Sequence, residues 1–179
     1  MEVRDPIHGA IVITDAETRV VEHSFVQRLR NISQVGFSHH PFPGATHSRY
    51  SHCMGVMHLA GQAFDSAFKT QDALDEQRAQ DWRACVRLAA LCHDLGHPPF
   101  SHCTEFAMPA LSALALSWYD SHGQTTRQAT HEDYTIAILE HSSLREVIEG
   151  NFGCSAKHVA ALISHDVGVD DDFQGHGSL

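Results

Sequence analysis

The chain has 179 residues, 42% of them hydrophobic, which is enough for one domain with a buried core, and no shift in composition marks a second domain. Twelve Lys and Arg stand against 22 Asp and Glu, a net charge of -10, so a nucleic-acid surface built on phosphate neutralisation is not expected. A small phosphorylated ligand remains compatible, because a metal and a few local arginines can hold phosphates in an acidic protein.

No apolar stretch approaches the roughly 20 residues of a membrane span, and the acidic start Met1-Glu2-Val3-Arg4-Asp5 does not read as a signal peptide. The five cysteines (Cys53, Cys85, Cys92, Cys103, Cys154) lack CxxC spacing and read as reduced thiols of a cytoplasmic protein.

In chain order, Arg4 to Gly9 reads as a turn and Ile11 to Ile13 as a short extended piece. Thr14 with Glu17, and Ser24 with Gln27, have capping-box spacing, which predicts short helices over 16–23 and 25–35 with Gln27 as a reciprocal cap. Pro41-Phe42-Pro43-Gly44 is a rigid turn. A longer helix is predicted over 48–68, with His52, Val56, Leu59, Ala60, Ala63 and Ala67 on its core face.

The polar run 70–81 leads into a helix ending at His93, where Trp82, Val86, Ala89, Ala90 and His93 share a face directed at the core. Gly96 and Pro98-Pro99 stop it. A further helix is predicted over 104–118 and a loop over 119–128. Thr130 with Asp133 caps a helix from His131 to about His141. Short helices over 144–148 and 156–163 follow, and the acidic, Gly-containing stretch 166–179 is expected to be a loose tail. The fold class is all-α with one small β piece near the start, in a single domain over 1–179.

The chemistry concentrates in Leu91-Cys92-His93-Asp94-Leu95-Gly96-His97-Pro98-Pro99-Phe100-Ser101-His102. A helix that carries an imidazole and a carboxylate inward on its last turn buries two costly groups, and a divalent cation would compensate. His52 points inward from a second helix. Two imidazoles and one carboxylate suit Mn, Mg, Fe, Co, Zn or Ni, with positions left for water and substrate.

That adjacent His-Asp pair, with an earlier His, resembles the HD phosphohydrolase superfamily. The likeness extends, in order, through Asp5-Pro-Ile-His-Gly9, Gln27-Arg-Leu-Arg30, Phe42-Pro-Gly-Ala-Thr-His-Ser-Arg49, His52, 91–102 and Thr130-His-Glu132, and is nearest to the deoxynucleoside triphosphate triphosphohydrolase branch. The resemblance implies an all-α HD fold, a divalent metal held by His52, His93 and Asp94, and a dNTP substrate, with assembly into homo-oligomers common in the branch.

It further implies that His97 and His102 face the triphosphate, that His131 is the general acid or electrophilic partner, and that Glu105 orients it where relatives commonly carry Asp. Arg49 would hold the α-phosphate and Gln34 the sugar. Gln27, Arg30 and Glu22 match a region that forms a regulatory nucleotide site in some relatives. The branch's last metal ligand is an Asp within Asp-x-x-x-x-Asp-Tyr. No such motif precedes Leu179, so the chain is expected to lack the family's C-terminal part, with Asp166, Asp170, Asp171 or Asp172 as candidate substitutes.

The implied reaction is attack at the α-phosphorus, releasing a deoxynucleoside and inorganic triphosphate. The alternative is a catalytically weak HD module that senses nucleotide or acts as an assembly unit. The metal centre alone does not choose among dNTP, nucleoside monophosphate, cyclic nucleotide and (p)ppGpp. Simpler readings stand beside these roles: His52 as a bonded core histidine, His97 and His102 as partners of free helix carbonyls, His131 as a first-turn residue. A zinc-peptidase reading of His93-Asp-Leu-Gly-His97 fails, because Gly96 and the proline pair interrupt the helix that motif needs.

Overall fold

The computed structural model describes residues 1–68, 76–119 and 126–168. The chain opens with an antiparallel hairpin of β1 (Glu2–Asp5) and β2 (Gly9–Val12), in the register Glu2 with Val12 and Asp5 with Gly9. Arg4 and Asp5 therefore lie in a strand rather than in the expected turn. The Asp5 carboxylate closes the real turn by accepting from the Ile7 and His8 amides at 2.9 and 2.8 Å, and Gly9 takes a positive φ of 73°.

Next come α1 (Asp15–Val21) and α2 (Ser24–Arg28). Thr14 caps α1 in a full capping box with Glu17. For α2 the expected cap is wrong: His23, not Ser24, occupies the cap position, and its ring accepts from the Phe25 amide at 3.4 Å. Gln27 donates to the Val21 carbonyl at 2.7 Å and accepts from Arg30 Nε at 2.7 Å, so it is no reciprocal cap. The helix also stops well short of residue 35, passing into one tighter turn over Leu29–Asn31.

Two long helices, α3 (Arg49–Ala67) and α4 (Glu76–Cys92), lie side by side. Their core faces differ from the expected ones. On α3 the buried stripe is Tyr50, Cys53, Met54, Met57, Gly61 and Phe64, whereas Leu59 is 49% exposed and Ala63 and Ala67 are exposed. On α4 it is Cys85, Leu88, Leu91 and Cys92 with the expected Ala89, while Trp82, Val86, Ala90 and His93 are only part-buried. The bulkier aliphatic and sulfur side chains take the core, and the stripes containing His52 and His93 turn to an open pocket. Residues 70–75 of the expected polar run lie outside the described residues, and 76–81 are already helix.

The helix expected over 104–118 is absent. Two tight turns, Ser101–Ala107 and Leu111–Leu114, replace it. Pro109 forces extended backbone on Met108 (ψ 146°), and Ala115 adopts a left-handed conformation at φ 50°. Then come α5 (His131–His141), capped by Thr130 with Asp133, α6 (Ser143–Glu149) and α7 (Ala156–Ile163), which pack on each other, with α7 against α4 and α6 against α1. The core joins Met54, Met57, Leu88, Leu91, Leu95, Ile136, Leu139, Leu144 and Ile148 in one cluster. All five cysteines are free thiols, and among the described residues no helix is long and apolar enough to cross a membrane. Of the tail, 169–179 lie outside the described residues.

A buried ion pair ties the first helix to this core. Arg87 Nε reaches Glu17 at 2.6 Å and its NH2 reaches the other oxygen at 3.1 Å, with both side chains about 95% buried. Removing one partner strands a charge. Glu17→Ala is therefore expected to cost about 3 kcal/mol or more in urea unfolding, and Arg87→Met added to it to restore part of that loss. A Glu17→Ala protein unfolding at the wild-type midpoint would contradict this account.

Candidate metal centre

The end of α4 is built to aim side chains. The helix gives way after Cys92 to a turn in which the Leu95 amide donates to Cys92 and the His97 amide to Asp94. Gly96 is required there: a Cβ would lie 2.0 Å from the His131 carbonyl oxygen and 2.5 Å from the Thr135 nitrogen. Its amide instead donates to Thr135 Oγ1 at 2.9 Å, and that hydroxyl also lies 3.0 Å from the His93 carbonyl. From the other side the Arg28 guanidinium donates to the His97 carbonyl at 3.0 Å and to that of Leu95. The turn is thus held by α5 and α2 together. Neither Arg28 nor Thr135 was marked by the sequence reading; Thr135 sits one helical turn after His131, the one signal that could have flagged it.

Within this frame His52, His93 and Asp94 come together, with one ligand atom from each lying within 4.8 Å of the others. His52 Nε2 is 3.3 Å from His93 Nε2 and 3.8 Å from Asp94 Oδ2, and His93 Nε2 is 3.3 Å from Asp94 Oδ1. His93 Nδ1 lies 2.8 Å from the Ala90 carbonyl oxygen, which fixes it as the donor nitrogen and leaves the Nε2 lone pair free. Burial draws the His52 imidazole below its ordinary value, with His93 and Arg49 adding to the effect against the pull of Asp94. A neutral imidazole is the form that binds a metal. Two imidazole nitrogens converging beside a carboxylate are the donor set a divalent cation fits.

Asp94 is 3% exposed. Burial alone would raise its carboxyl, but the His97 hydrogen bond, His93 and Arg49 outweigh that and keep it well below the ordinary range. Arg49 NH1 reaches Asp94 at 2.6 Å, while Nε and NH2 donate to Ser101 Oγ at 2.8 and 2.5 Å. Ser101 is a further residue that sequence reasoning passed over: it is 3% exposed and strained at φ 57°. Arg49, expected at a phosphate, here faces the Asp94 carboxylate. Gln34 lies beside it, its carbonyl 3.3 Å from Arg49 NH2 and its side-chain Oε1 buried without a partner among the described residues.

A second group, His97, His102, Glu105 and His131, lies next to the first. His97 Nε2 is 3.3 Å from Asp94 Oδ1 and its ring stacks on His131 at 3.9 Å. The Glu105 carboxylate spans His131 Nδ1 and His102 Nδ1, the latter at 3.1 Å. Burial would lift Glu105, yet its bonds to His102 and His131 hold it below the usual value. Of the proposed substitutes for a late Asp, Asp166 is turned to Arg127 at 3.6 Å and belongs to neither group; Asp170, Asp171 and Asp172 lie outside the described residues. Gln27 and Arg30 pair with each other, and Arg30 lies 3.6 Å over the Tyr50 ring. A pocket of about 440 Å³, walled by Val56, Ala60, Val86 and Ile163, opens onto His93 and His131.

Comparison with known proteins agrees with this geometry. A family model described as HD domain matches residues 49–168. The chain is 34% identical over 168 residues to the chicken deoxynucleoside triphosphate triphosphohydrolase SAMHD1, covering 92% of this chain and 25% of that protein. It is 41% identical over 138 residues to the Dictyostelium discoideum homolog of that enzyme, covering 76% of this chain and 24% of the relative. A crystal structure of a hypothetical protein from Aquifex aeolicus superposes with a TM-score of 0.62 at 26% identity, over 91% of this chain and 38% of that one. The chain thus spans about a quarter of the length of these curated relatives.

The close approach at Gly96 gives a test. Gly96→Ala is expected to push α5 from the ligand turn, lowering the melting temperature and weakening divalent-cation binding at least about tenfold. Gly44→Ala, where an added Cβ meets nothing within 4 Å, should change neither. Calorimetric titration with Mn²⁺ on both variants reads the difference, and equal affinities would remove Gly96 from the account.

Proposed function

Because this chain belongs to the HD-domain family, we propose that it is a metal-dependent nucleotide phosphohydrolase that converts a dNTP to deoxynucleoside and inorganic triphosphate. The supporting observation is one contact: His97 touches Asp94 of the metal-capable trio at 3.3 Å and stacks on His131 at 3.9 Å, so a cation site and a proton-carrying imidazole adjoin in one open pocket. The choice of dNTP draws on the relatives named as deoxynucleoside triphosphate triphosphohydrolases.

His52, His93 and Asp94 hold the divalent cation. When bound, that cation supplies a Lewis acid and lowers the pKa of coordinated water. His131 carries the leaving-group proton: with Nδ1 pinned by Glu105, its Nε2 is presented in a fixed orientation. His97 and His102 line the approach to the triphosphate. Arg49, which donates to Asp94 Oδ2 at 2.6 Å, would hold the α-phosphate. Gln34, whose buried Oε1 has no partner among the described residues, would accept from the sugar hydroxyl. Residues 1–179 form one HD module, and a homo-oligomer is the proposed assembly.

A second reading is favoured by the turning away of Asp166: with three protein ligands among the described residues, the module would bind nucleotide as a sensor with weak turnover. Product analysis separates the two. The purified chain is incubated with a dNTP mixture and Mn²⁺, Mg²⁺ or Co²⁺, and deoxynucleoside and triphosphate are expected in equal amounts. His93→Ala and Asp94→Ala should each cut turnover by about a hundredfold or more. Undiminished turnover in both variants sinks the proposal, and phosphate or pyrophosphate release moves the substrate assignment. Nucleotide binding without hydrolysis under every metal establishes the sensor.

A further inference from the structure

We propose that Cys85 and Cys154 form an oxidative modification site: hydrogen peroxide joins them in a disulfide that staples the start of α7 to α4, and a thiol reductant opens it again. The pair belongs to neither histidine cluster and does not depend on the hydrolytic reading.

The fold brings the two sulfurs together from elements distant in sequence. Cys85 is on the buried face of α4 at 1% exposure, and Cys154 is 8% exposed in the same core cluster. Cys154 directly precedes Ser155, which caps α7 in a box with His158, so the start of that helix fixes its backbone. The segment is pressed onto α4: an added Cβ at Gly153 would collide with the Asp81 carboxylate, and Asp81 lies one helical turn before Cys85. Glycine at 153 thus lets the chain come close enough to α4 for the Cys85 thiol to hydrogen-bond to Cys154.

That contact makes the two thiols chemically unequal. The hydrogen bond from Cys85 draws Cys154 below the usual thiol value, against burial and the charge of Asp81, while the same bond and burial push Cys85 up. Burial pushes up Cys53 and Cys92 as well. Cys154 is therefore the member that forms thiolate, the state that reacts with an oxidant, and it is also the more exposed of the two.

The chemistry balances with peroxide as the co-reactant. The Cys154 sulfur attacks one peroxide oxygen, the O–O bond breaks, and the departing hydroxide takes up the thiol proton as water, leaving sulfenic acid at Cys154. The Cys85 sulfur then attacks the Cys154 sulfur, the S–O bond breaks, and the Cys85 proton leaves in a second water. Two thiols lose two electrons in all, and one hydrogen peroxide is reduced to two waters. With Cys85 already in contact, the sulfenic acid is resolved before further oxidation.

The test counts thiols and does not read turnover. Cys103 is exposed and would consume peroxide by itself, so the full chain carrying Cys103→Ser is used, in which four of the five thiols remain. It is treated with hydrogen peroxide, unfolded in urea and titrated with dithionitrobenzoate. Loss of two thiols is expected, with both restored by dithiothreitol. Tryptic digestion without reductant should yield the fragment Ala84–Arg87 joined to Glu146–Lys157. Adding Cys85→Ser should remove that cross-link and leave a sulfenic acid at Cys154 that dimedone traps. Retention of all four thiols after peroxide overturns the proposal. So does a cross-link through Cys53 or Cys92, or sulfinic acid at Cys154 with Cys85 left free.

Discussion

The contact on which the rest of the molecule depends is the buried pair of Arg49 and Asp94. A lone carboxylate at 3% exposure is expensive, and here it is answered by a guanidinium at 2.6 Å and by His97 at 3.3 Å. The pair joins the first turn of α3 to the end of α4, so the helices that carry His52 and His93 are locked at one height. Arg49 in turn needs Ser101, and Ser101 reaches it only through a left-handed backbone at φ 57°. Strain of about 1–3 kcal/mol at that residue is the kind of cost that persists where surrounding contacts over-determine a site.

The second constraint is the tight crossing of the ligand turn and α5. With hydrogen at the Gly96 Cα, Thr135 can cap the turn and His131 can approach His97. Arg28 fixes the opposite side through two carbonyls. Backbone groups of the turn are thus satisfied by side chains from two other elements, and His93 bonds the Ala90 carbonyl while facing the pocket.

Much of this was legible in the sequence, and the failures have common causes. The caps at Thr14 and Thr130 were readable because hydroxyl, spacing and acidic partner all agree locally. The meeting of His52 with His93 and Asp94 was what the family resemblance implied. The faces did not follow, since alanine-rich helices offer two plausible stripes; His93 lies at the pocket with Val86 and Ala90, and His52 is only part-buried, while Met57 and Leu88 take the core. The false helix over 104–118 had apolar content but ignored Pro109. Ser101, Arg28 and Thr135 act through backbone carbonyls and conformations distant in sequence, which a pattern of residue types does not encode.

His97 is where the two clusters become one system. Its two nitrogens face different neighbours: one meets the carboxylate that binds Arg49, the other lacks any partner among the described residues. At separations of about 5 Å and an effective dielectric near 20, unit charges interact by about 3 kcal/mol, so a charge arriving in one cluster changes the energy of the other substantially. Arg49 offsets the charge of Asp94, and Glu105 holds two imidazoles. A cation at the first then creates a field that favours an anion beside the second. The two imidazoles braced by Glu105 are therefore best understood as partners of whatever charge the Asp94 side acquires, and not as an independent surface feature.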